Sequence, residues 1–474
     1  MQDPSIFVGE GLPVAFSSIS FLFYFLPLFF IIYYLIPARA KNVVLLAGSL
    51  FFYAWGEPRW ILLLLASILV TWLLGRAMRP EASAGRRGLL ILGLVFQLGL
   101  LVAVKYAGFF FGAFIDLPKL HLPLGVSFYT FHAISYLVDV YRQKTPPQKN
   151  LLRLGLYLAL FPKLVMGPIV PYHELEPALA QRTIDAQDVS DGCFRFTIGL
   201  AKKALLADAL AGLVTGIWGD LASLTVLSAW LGLIGYALQL YFDFSGYSDM
   251  AIGLGRMLGF RFPENFRYPY LCSSISDFWR RWHISLGSWF KEYLYFPLGG
   301  SRTGTLRTLR NLLLVWLATG LWHGASWNYV LWGLYFGVLI CLEKLLAPRF
   351  RAHPRKGLLA GLYRPVCLLL AVLGWVLFRA EDLPAAGRYF ACLFGGAAGA
   401  SAQARLYLHD FWPVLLLGAV GATPLCAKLA GRLGAKLQPG VRAAVQAVLV
   451  LALLACSTVW LLNGSFQSFV YFQF

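Results

Sequence analysis

Long runs of apolar residues, separated by short polar and basic segments, dominate the hydrophobic pattern of this chain. A helix needs about 20 mostly apolar residues to cross the hydrocarbon core of a bilayer. Runs of roughly that length lie at 16–37, 59–78, 88–113, 225–242, 326–347, 411–430 and 441–463. Shorter or interrupted runs lie at 42–55, 124–141, 151–170, 194–217, 309–322 and 363–378. The pattern predicts an all-α polytopic membrane protein with about 11 transmembrane helices.

The pattern is least regular between residues 115 and 325, where Pro, Gly, His, Lys and Asp interrupt the apolar runs. Non-helical backbone and charge are tolerated at membrane depth only inside protein or beside a watery cavity. We therefore predict a central tunnel in residues 115–350, surrounded by transmembrane helices together with re-entrant and amphipathic interfacial helices. We expect 1–114 and 351–474 to be scaffold helices, so that 1–474 forms a single membrane-embedded domain.

Composition and charge support a membrane location. Of the 474 residues, 59% are hydrophobic and only 13% are charged, against about 25% charged in a typical soluble protein. The net charge of +18 comes from basic clusters between apolar runs, for example at 76–87 and 142–153. Such clusters follow the positive-inside rule, so the charge does not indicate nucleic-acid binding. Membrane lipids are the expected surroundings.

The charge pattern also predicts the orientation of the chain. The first fifteen residues contain no Lys or Arg, and residues 463–474 carry no charge at all. Because positive charge concentrates on the cytoplasmic side, we expect both termini to be extracytoplasmic. A positive n-region is missing at the start, so the first apolar run is expected to be retained rather than cleaved.

The sequence lacks several motifs that would indicate other chemistry. Its seven Cys include no CxxC pair, and HExxH is missing, so neither a metal site nor a disulfide framework is predicted. Without a Walker A motif or a GxSxG elbow, neither ATP-driven transport nor an α/β-hydrolase nucleophile is indicated. We expect no bound cofactor.

The segment 277–300 has apolar residues at helical spacing. They are Phe278, Trp279, Trp282, Leu286, Trp289, Phe290 and Tyr293. This spacing, with Arg and Lys on the opposite side, predicts an amphipathic helix suited to the membrane interface. His283 lies at the edge of the Trp stripe. It is either an incidental residue of an interfacial anchor or part of a functional site, and the segment alone favours the anchor.

His323 ends an apolar run, with Gly320 and Gly324 on either side and Trp322 and Trp327 nearby. Burial disfavours a charged imidazole, so we expect the ring to be neutral. A neutral imidazole in a dry site is a competent general base. A structural His that binds a backbone carbonyl explains the context equally well.

Two acidic residues, Asp243 and Asp249, lie in the largely apolar segment 236–257 together with Ser245 and Tyr247. These polar groups could line a tunnel. The carboxylates could instead form structural ion pairs, for which the candidate partners are Arg256, Lys202 and Lys203. We favour the structural interpretation for the carboxylates.

Two stretches resemble motifs of the membrane-bound O-acyltransferase family. They are FWRRWHISL at 278–286 and GLWHGASW at 320–327, and PLGVSFY at 123–129, YFDFSGYSDM at 241–250 and PENF at 263–266 support them. Within that family, the chain resembles the bacterial alginate O-acetyltransferase branch. The resemblance implies that His323 is the catalytic histidine and His283 the second motif histidine. As residues of the substrate tunnel we name Trp322, Trp327, Trp282, Arg281, Asp243, Ser245, Tyr247 and Asn265.

The resemblance also implies a reaction. An acyl thioester from the cytoplasm, which we expect to be acetyl-CoA, would acylate an extracytoplasmic hydroxyl at the bacterial inner membrane. His323 would take the hydroxyl proton, and His283, Trp322 or backbone N–H groups would orient the donor or stabilise the oxyanion. The acceptor would be an exported, alginate-like polysaccharide, reached directly or through a periplasmic acetyltransferase partner. The alternatives are D-alanyl transfer from a carrier protein to teichoic acid, and a non-enzymatic transporter.

Overall fold

The computed structural model describes residues 15–78, 83–112, 122–302, 304–352, 358–464 and 469. In this part of the chain the backbone forms helices and connecting segments without a strand, which confirms the all-α class. The chain divides into two compact units. The first comprises Met1–Leu200, Tyr247–Pro263 and Leu453–Gln473, and the second comprises Ala201–Gly246 and Glu264–Ala452.

The first unit is built around the helix Val126–Tyr141, whose residues are almost all buried. It packs against Ile61–Ala77 and Ser83–Leu101. Gly125 precedes it with a φ of +74°, and a Cβ there would lie 2.6 Å from the carbonyl oxygen of Leu164. The Gly of the interrupted run 124–141 therefore starts one continuous helix. The unit's other elements are Phe21–Phe25, Leu26–Leu35, Ala38–Ala40, Lys41–Gly56, Val102–Tyr106, Ala107–Phe111, Leu151–Ala159, Phe161–Leu164, Tyr172–Ala180 and Ala186–Ala201.

The second unit contains two long helices that pack along each other, Thr305–His323 and Trp327–Ala352, and the latter also packs against Leu358–Arg379. We call Thr305–His323 the His323 helix and Trp327–Ala352 the Glu343 helix. The unit's other elements are Lys202–Ala207, Asp208–Trp218, Pro269–Leu271, Ile275–Trp279, Ile284–Phe290, Lys291–Tyr295, Leu383–Leu393, Ala402–Gly421 and Leu425–Gly434. Val226–Met257 and Pro439–Asn463 contribute residues to both units.

Several helices are long and apolar enough to cross a membrane. Within the described residues five qualify: Gly85–Phe111, Val226–Met257, Trp327–Leu346, Leu362–Arg379 and Pro439–Asn463. The pair Ala402–Gly421 and Leu425–Gly434 could make a sixth span. The polytopic class is thus confirmed, whereas the count of about 11 is not.

Proline explains two differences from the expected bounds. The run 411–430 was expected to be one span, but its two helices meet at 66°. Pro424 is the N-cap of the second helix, and because it has no backbone N–H it cannot donate a hydrogen bond to the carbonyl groups at the end of the first helix. The run 151–170 likewise stops at Ala159, and a short helix, Phe161–Leu164, begins with Pro162 at its second position.

The expected extracytoplasmic position of the two termini concerns residues 1–14 and 470–474. These residues lie outside the described part of the chain, so the orientation stays a prediction.

Candidate active site

A cavity of about 390 Å³ opens within the second unit, and both motif histidines line it. Its walls come from the segment 276–295, the His323 helix and Ile340 of the Glu343 helix. The His323 helix contributes one face, because its lining residues recur at helical spacing. They are Leu312, Val315, Trp316, Thr319 and His323. A cavity of this size suits a small substrate or the arm of a larger one.

His323 is the last residue of its helix and is 5% exposed. Its ring is packed edge-on between Trp322, Trp332 and Phe378, with centroid distances of 4.9, 4.8 and 5.1 Å. Three aromatic rings on one imidazole exclude water from it and restrict its rotation. The end of the His323 helix therefore holds the imidazole at the cavity in a defined orientation.

The glycines on either side of His323 have a steric role. A Cβ at Gly320 would overlap with the carbonyl oxygen of Tyr329, and a Cβ at Gly324 would overlap with the ring of the same residue. These glycines let the start of the Glu343 helix approach the end of the His323 helix closely. The close approach brings Trp332 against the His323 ring.

His283 lies where the expected amphipathic helix is broken. The segment 277–300 was predicted to be one helix, but it forms the helices Ile275–Trp279, Ile284–Phe290 and Lys291–Tyr295. His283 has a φ of +46°, in the left-handed region that a non-glycine residue adopts only at a cost of about 1–3 kcal/mol. The prediction of a continuous helix was wrong. Apolar residues are buried on both sides of the break, as they would be on one helix, so the hydrophobic pattern does not reveal the break.

The His283 ring is 2% exposed, and contacts with Asn265 and Phe244 help to hold it. Its Nδ1 lies 3.1 Å from Oδ1 of Asn265, and its ring packs edge-on against Phe244 at 4.7 Å. Trp322, the neighbour of His323, lies 6.1 Å away. His283 is outside the candidate spans, and burial lowers the pKa of its imidazole, so the ring is neutral at neutral pH.

Aromatic side chains form much of the cavity wall. The Trp279 ring lies 4.7 Å from Trp316 and 4.8 Å from Phe336, and Trp282 lies 4.8 Å from Trp375. Both histidines are buried beside these rings, and charge that develops at a buried site during a reaction interacts more strongly with nearby dipoles than it would in water.

Two exposed cations, Arg280 and Lys291, also line the cavity. Arg280 lies 3.5 Å from the carboxylate of Asp277, whose other oxygen accepts a hydrogen bond from Arg281 at 3.0 Å. Burial raises the pKa of the Asp277 carboxyl, but hydrogen bonds from Ser273 and Arg281 outweigh it and hold that pKa below its usual value. Asp277 therefore stays charged and fixes the basic residues before His283.

Comparison with known proteins identifies the family. The profile of MBOAT, the membrane-bound O-acyltransferase family, matches residues 140–360, which include both histidines. A protein named "Probable alginate O-acetylase" from Azotobacter vinelandii is 44% identical over 397 residues, 80% of this chain and 78% of that protein. The chain belongs to the membrane-bound O-acyltransferase family. The resemblance seen in the sequence is thereby confirmed, and the protein is a multi-pass membrane O-acyltransferase.

Two further relatives of this O-acyltransferase differ in what their names describe. The peptidoglycan O-acetyltransferase of Helicobacter pylori is 36% identical over 413 residues, and the match covers 78% of this chain and 78% of that protein. The teichoic acid D-alanyltransferase of Bacillus subtilis is 29% identical over 249 residues, 48% of this chain and 62% of that protein.

The structure places the other expected site residues of the acyltransferase in different surroundings. Trp282 lines the cavity, and Trp322 is buried between the two histidines. Asn265 binds His283, whereas Arg281 binds Asp277. Trp327 is 62% exposed at the start of the Glu343 helix and is not part of the described cavity wall.

The residues of the segment 236–257 lie elsewhere. Asp243 pairs at 2.8 Å with Lys203, one of the expected partners, and Ser245 is buried in the same unit. Tyr247 belongs to the first unit, where it stacks on Phe16 at 4.6 Å. Asp249 pairs with Arg195, a partner that the sequence did not suggest.

Sequence reasoning missed four lining residues of the His323 helix, namely Thr319, Trp316, Val315 and Leu312. A signal for them was present, because they lie 4, 7, 8 and 11 positions before His323 and therefore on its face of the helix. The described residues contain no group of three or more His, Cys, Asp or Glu that could hold a metal ion.

Proposed function

We propose that this acyltransferase moves an acetyl group from a cytoplasmic thioester, acetyl-CoA, to a hydroxyl of an exported polysaccharide at the bacterial inner membrane. One observation carries the proposal: two buried imidazoles from separate segments line the same cavity. Two relatives are named for O-acetylation of alginate and of peptidoglycan, which are both polymers. The supply of donor from one side and acceptor from the other would require the predicted tunnel and orientation.

In the proposed reaction the acceptor oxygen attacks the thioester carbonyl carbon. His323 takes the hydroxyl proton while the new C–O bond forms, the C–S bond then breaks, and the departing thiolate receives the proton. General-base assistance of this kind typically contributes about 10²–10⁴ in rate. The packing of Trp322, Trp332 and Phe378 around His323 supports the role, because it keeps the base oriented and dry.

The shape and charge of the cavity support a donor with a long, thin, uncharged arm and an anionic end. The stretch of the His323 helix from Leu312 to His323 measures about 16 Å at 1.5 Å per residue. Asn311, beside Leu312, donates hydrogen bonds to the carbonyl oxygens of Leu298 and Gly300, so the end of the segment 276–295 is near this end of the helix. A pantetheine arm would follow this length, with its thioester at His323 and its phosphates near the exposed cations Arg280 and Lys291.

The decisive experiment compares acetyl transfer from labelled acetyl-CoA by membranes that carry wild-type protein, His323→Ala, His283→Ala or His409→Ala. His409 is exposed, so its variant is a matched control. We expect a loss of about 10²-fold or more for His323→Ala at normal expression. Near-normal turnover by that variant would rule out the base role. Mass spectrometry of surface polymers from cells with and without the protein then identifies the acceptor, and unchanged acetylation of all polymers would refute the proposal.

A periplasmic acetyltransferase partner is part of the proposal, because in the described part of the chain the segments that connect the helices are too short to form a domain that handles a polysaccharide. Under this proposal, purified acyltransferase alone acetylates polymer poorly, and addition of periplasmic extract restores transfer. Efficient acetylation by the purified protein alone would contradict the partner.

D-alanyl transfer is the second candidate, since the Bacillus subtilis relative is named for it. A donor trial separates the two functions. Labelled acetyl-CoA and a carrier protein loaded with D-alanine are offered to the same membranes, and His323→Ala controls for background. If transfer occurred only from the loaded carrier protein, that protein and not acetyl-CoA would be the donor.

A further inference from the structure

Asn265 connects the two sides of the His283 loop. Its Oδ1 lies 3.1 Å from His283 Nδ1, and it accepts hydrogen bonds from the backbone N–H of Ser285 at 3.2 Å and from Ser285 Oγ at 3.0 Å. Its backbone carbonyl accepts the N–H of Ile284 at 3.0 Å. Asn265 is 1% exposed, so water does not compete for these contacts.

These contacts determine which nitrogen of His283 carries the proton. A backbone N–H can only donate, so the Asn265 atom that faces Ser285 must be the amide oxygen rather than the amide nitrogen. An amide oxygen can only accept, and Nδ1 of His283 contacts that same atom. Nδ1 therefore carries the hydrogen, and in the neutral ring the lone pair is on Nε2.

The backbone holds the ring in this orientation. His283 has a left-handed φ of +46°, which persists only where the surroundings fix it. They do so on both sides, since the N–H of Arg267 donates to the carbonyl of Arg281 at 2.9 Å and Phe244 packs edge-on against the imidazole. The ring therefore has one orientation and one tautomer.

We infer that Asn265 is a positioning residue that presents His283 to the cavity as a proton acceptor at Nε2. The inference rests on the proposed function and assigns a role within it. A neutral ring with its hydrogen on Nδ1 cannot donate to an oxyanion at Nε2, so His283 does not stabilise the oxyanion. It accepts a hydrogen bond from the hydroxyl-bearing end of the acceptor, while His323 removes the proton of the attacking hydroxyl.

The first test reads the tautomer without turnover. The protein with ¹⁵N-labelled histidine is placed in nanodiscs, and His283 is assigned among the seven His by comparison with His283→Gln. We expect a protonated Nδ1 and an unprotonated Nε2. A protonated Nε2 would overturn the inference and leave the His323 test untouched, so the two proposals fail separately.

The second test uses Asn265→Asp, with Ser285→Ala as the matched control. An aspartate still accepts from Nδ1 but favours the imidazolium, so the acid limb of kcat/KM should move up by about one pH unit or more. Phe244 and Trp322, both uncharged, also lie beside the ring, and the titratable groups that line the same cavity with His283 are His323, Arg280, Lys291 and Tyr295. Ser285→Ala leaves His283 Nδ1 bound and should leave the pH profile in place.

The alternative roles give different results. If His283 donated to an oxyanion, Asn265→Asp would keep or raise activity at low pH, because an imidazolium carries hydrogen on both nitrogens. If Asn265 only stabilised the loop, Asn265→Asp and Asn265→Ala would lower kcat without moving the acid limb. Either result overturns the inference. We expect Asn265→Ala to lower kcat about 10-fold or more, since both tautomers become available, with the donor KM unchanged.

Discussion

Glu343 binds Ser276 through one carboxylate oxygen, which accepts the Ser276 backbone N–H at 2.8 Å and its hydroxyl at 2.6 Å. The other oxygen accepts the N–H of Ile275 at 2.7 Å and the hydroxyl of Tyr363 at 2.6 Å. The carboxylate thus accepts hydrogen bonds from the first backbone N–H groups of the short helix Ile275–Trp279, which leads to the His283 loop. It also connects that helix to the Glu343 helix, whose Trp332 packs on His323.

We predict that Glu343→Gln lowers kcat more than it changes the donor KM. A glutamine has one accepting oxygen, so it cannot serve both ends of this network, and each lost hydrogen bond to a charged group costs about 1.5–3 kcal/mol. The loosened helix would misplace His283. Arg280, at the end of that helix, is exposed and contributes only modestly to donor binding, so the KM should change less than kcat. Steady-state kinetics in nanodiscs measure the two parameters.

Two variants calibrate the Glu343 result. Tyr363→Phe removes only one of the four hydrogen bonds and should have a small effect. Lys344→Ala, at the exposed neighbour, should have none. Equal losses for Lys344→Ala and Glu343→Gln would show that the helix surface, and not the carboxylate network, matters.

We predict that Arg280→Gln combined with Lys291→Gln raises the KM for acetyl-CoA and leaves kcat nearly unchanged. Both cations line the cavity but are exposed, so each is expected to contribute modest binding energy to an anionic donor. The measurement is the KM for acetyl-CoA as a function of salt concentration. Added salt should raise the KM of the wild type more than that of the double variant. Arg307→Gln, an exposed change on the His323 helix outside the described cavity wall, is the control. A KM rise of the same size there would refute a local site.

The sequence was sufficient for much of this site, because its signals are local. The apolar runs predicted the helices. The position of His323 at the end of an apolar run predicted that its side chain is buried, and in the structure the residue is 5% exposed. The break at His283 had no such signal. Phe278, Trp282 and Leu286 are buried on both sides of it, so the pattern matches that of an unbroken helix.

The contacts that fix the site depend on residues distant in the chain. Asn265 lies 18 positions from His283, and Glu343 lies 67 positions from Ser276. A single sequence does not pair such residues, since only the tertiary fold brings them together. A charged Glu343 in the apolar run 326–347 was nevertheless a visible hint, because charge in such a run usually has a partner.

We predict that Asp243 contributes to stability and not to turnover. Lys203 pairs with Asp208 at 2.7 Å and with Asp243 at 2.8 Å, and all three side chains are buried. Lys203→Met leaves two buried carboxylates without their cation and should cost about 3–5 kcal/mol, whereas Asp243→Asn keeps the pair with Asp208 and should cost less. Unfolding in mixed micelles gives the stabilities. A large fall in kcat of folded Asp243→Asn would instead support the tunnel role considered for Asp243.

We predict opposite effects of two Gly→Ala changes in helices. A Cβ at Gly320 would overlap with the carbonyl oxygen of Tyr329, so Gly320→Ala should push the His323 and Glu343 helices apart and destabilise the protein by about 1–3 kcal/mol. Gly431 lies in the helix Leu425–Gly434 with nothing within 4 Å of an added Cβ, so Gly431→Ala should stabilise by up to about 1 kcal/mol.

Activity distinguishes this steric role from a general loss of stability. Gly320→Ala displaces Tyr329 and with it the start of the Glu343 helix, so kcat should fall even at temperatures where the variant is fully folded. Gly431→Ala should keep wild-type kcat. The measurements are unfolding in mixed micelles and acetyl transfer well below the transition. If Gly320→Ala were as stable and as active as wild type, then close contact between these helices would not be what orients His323.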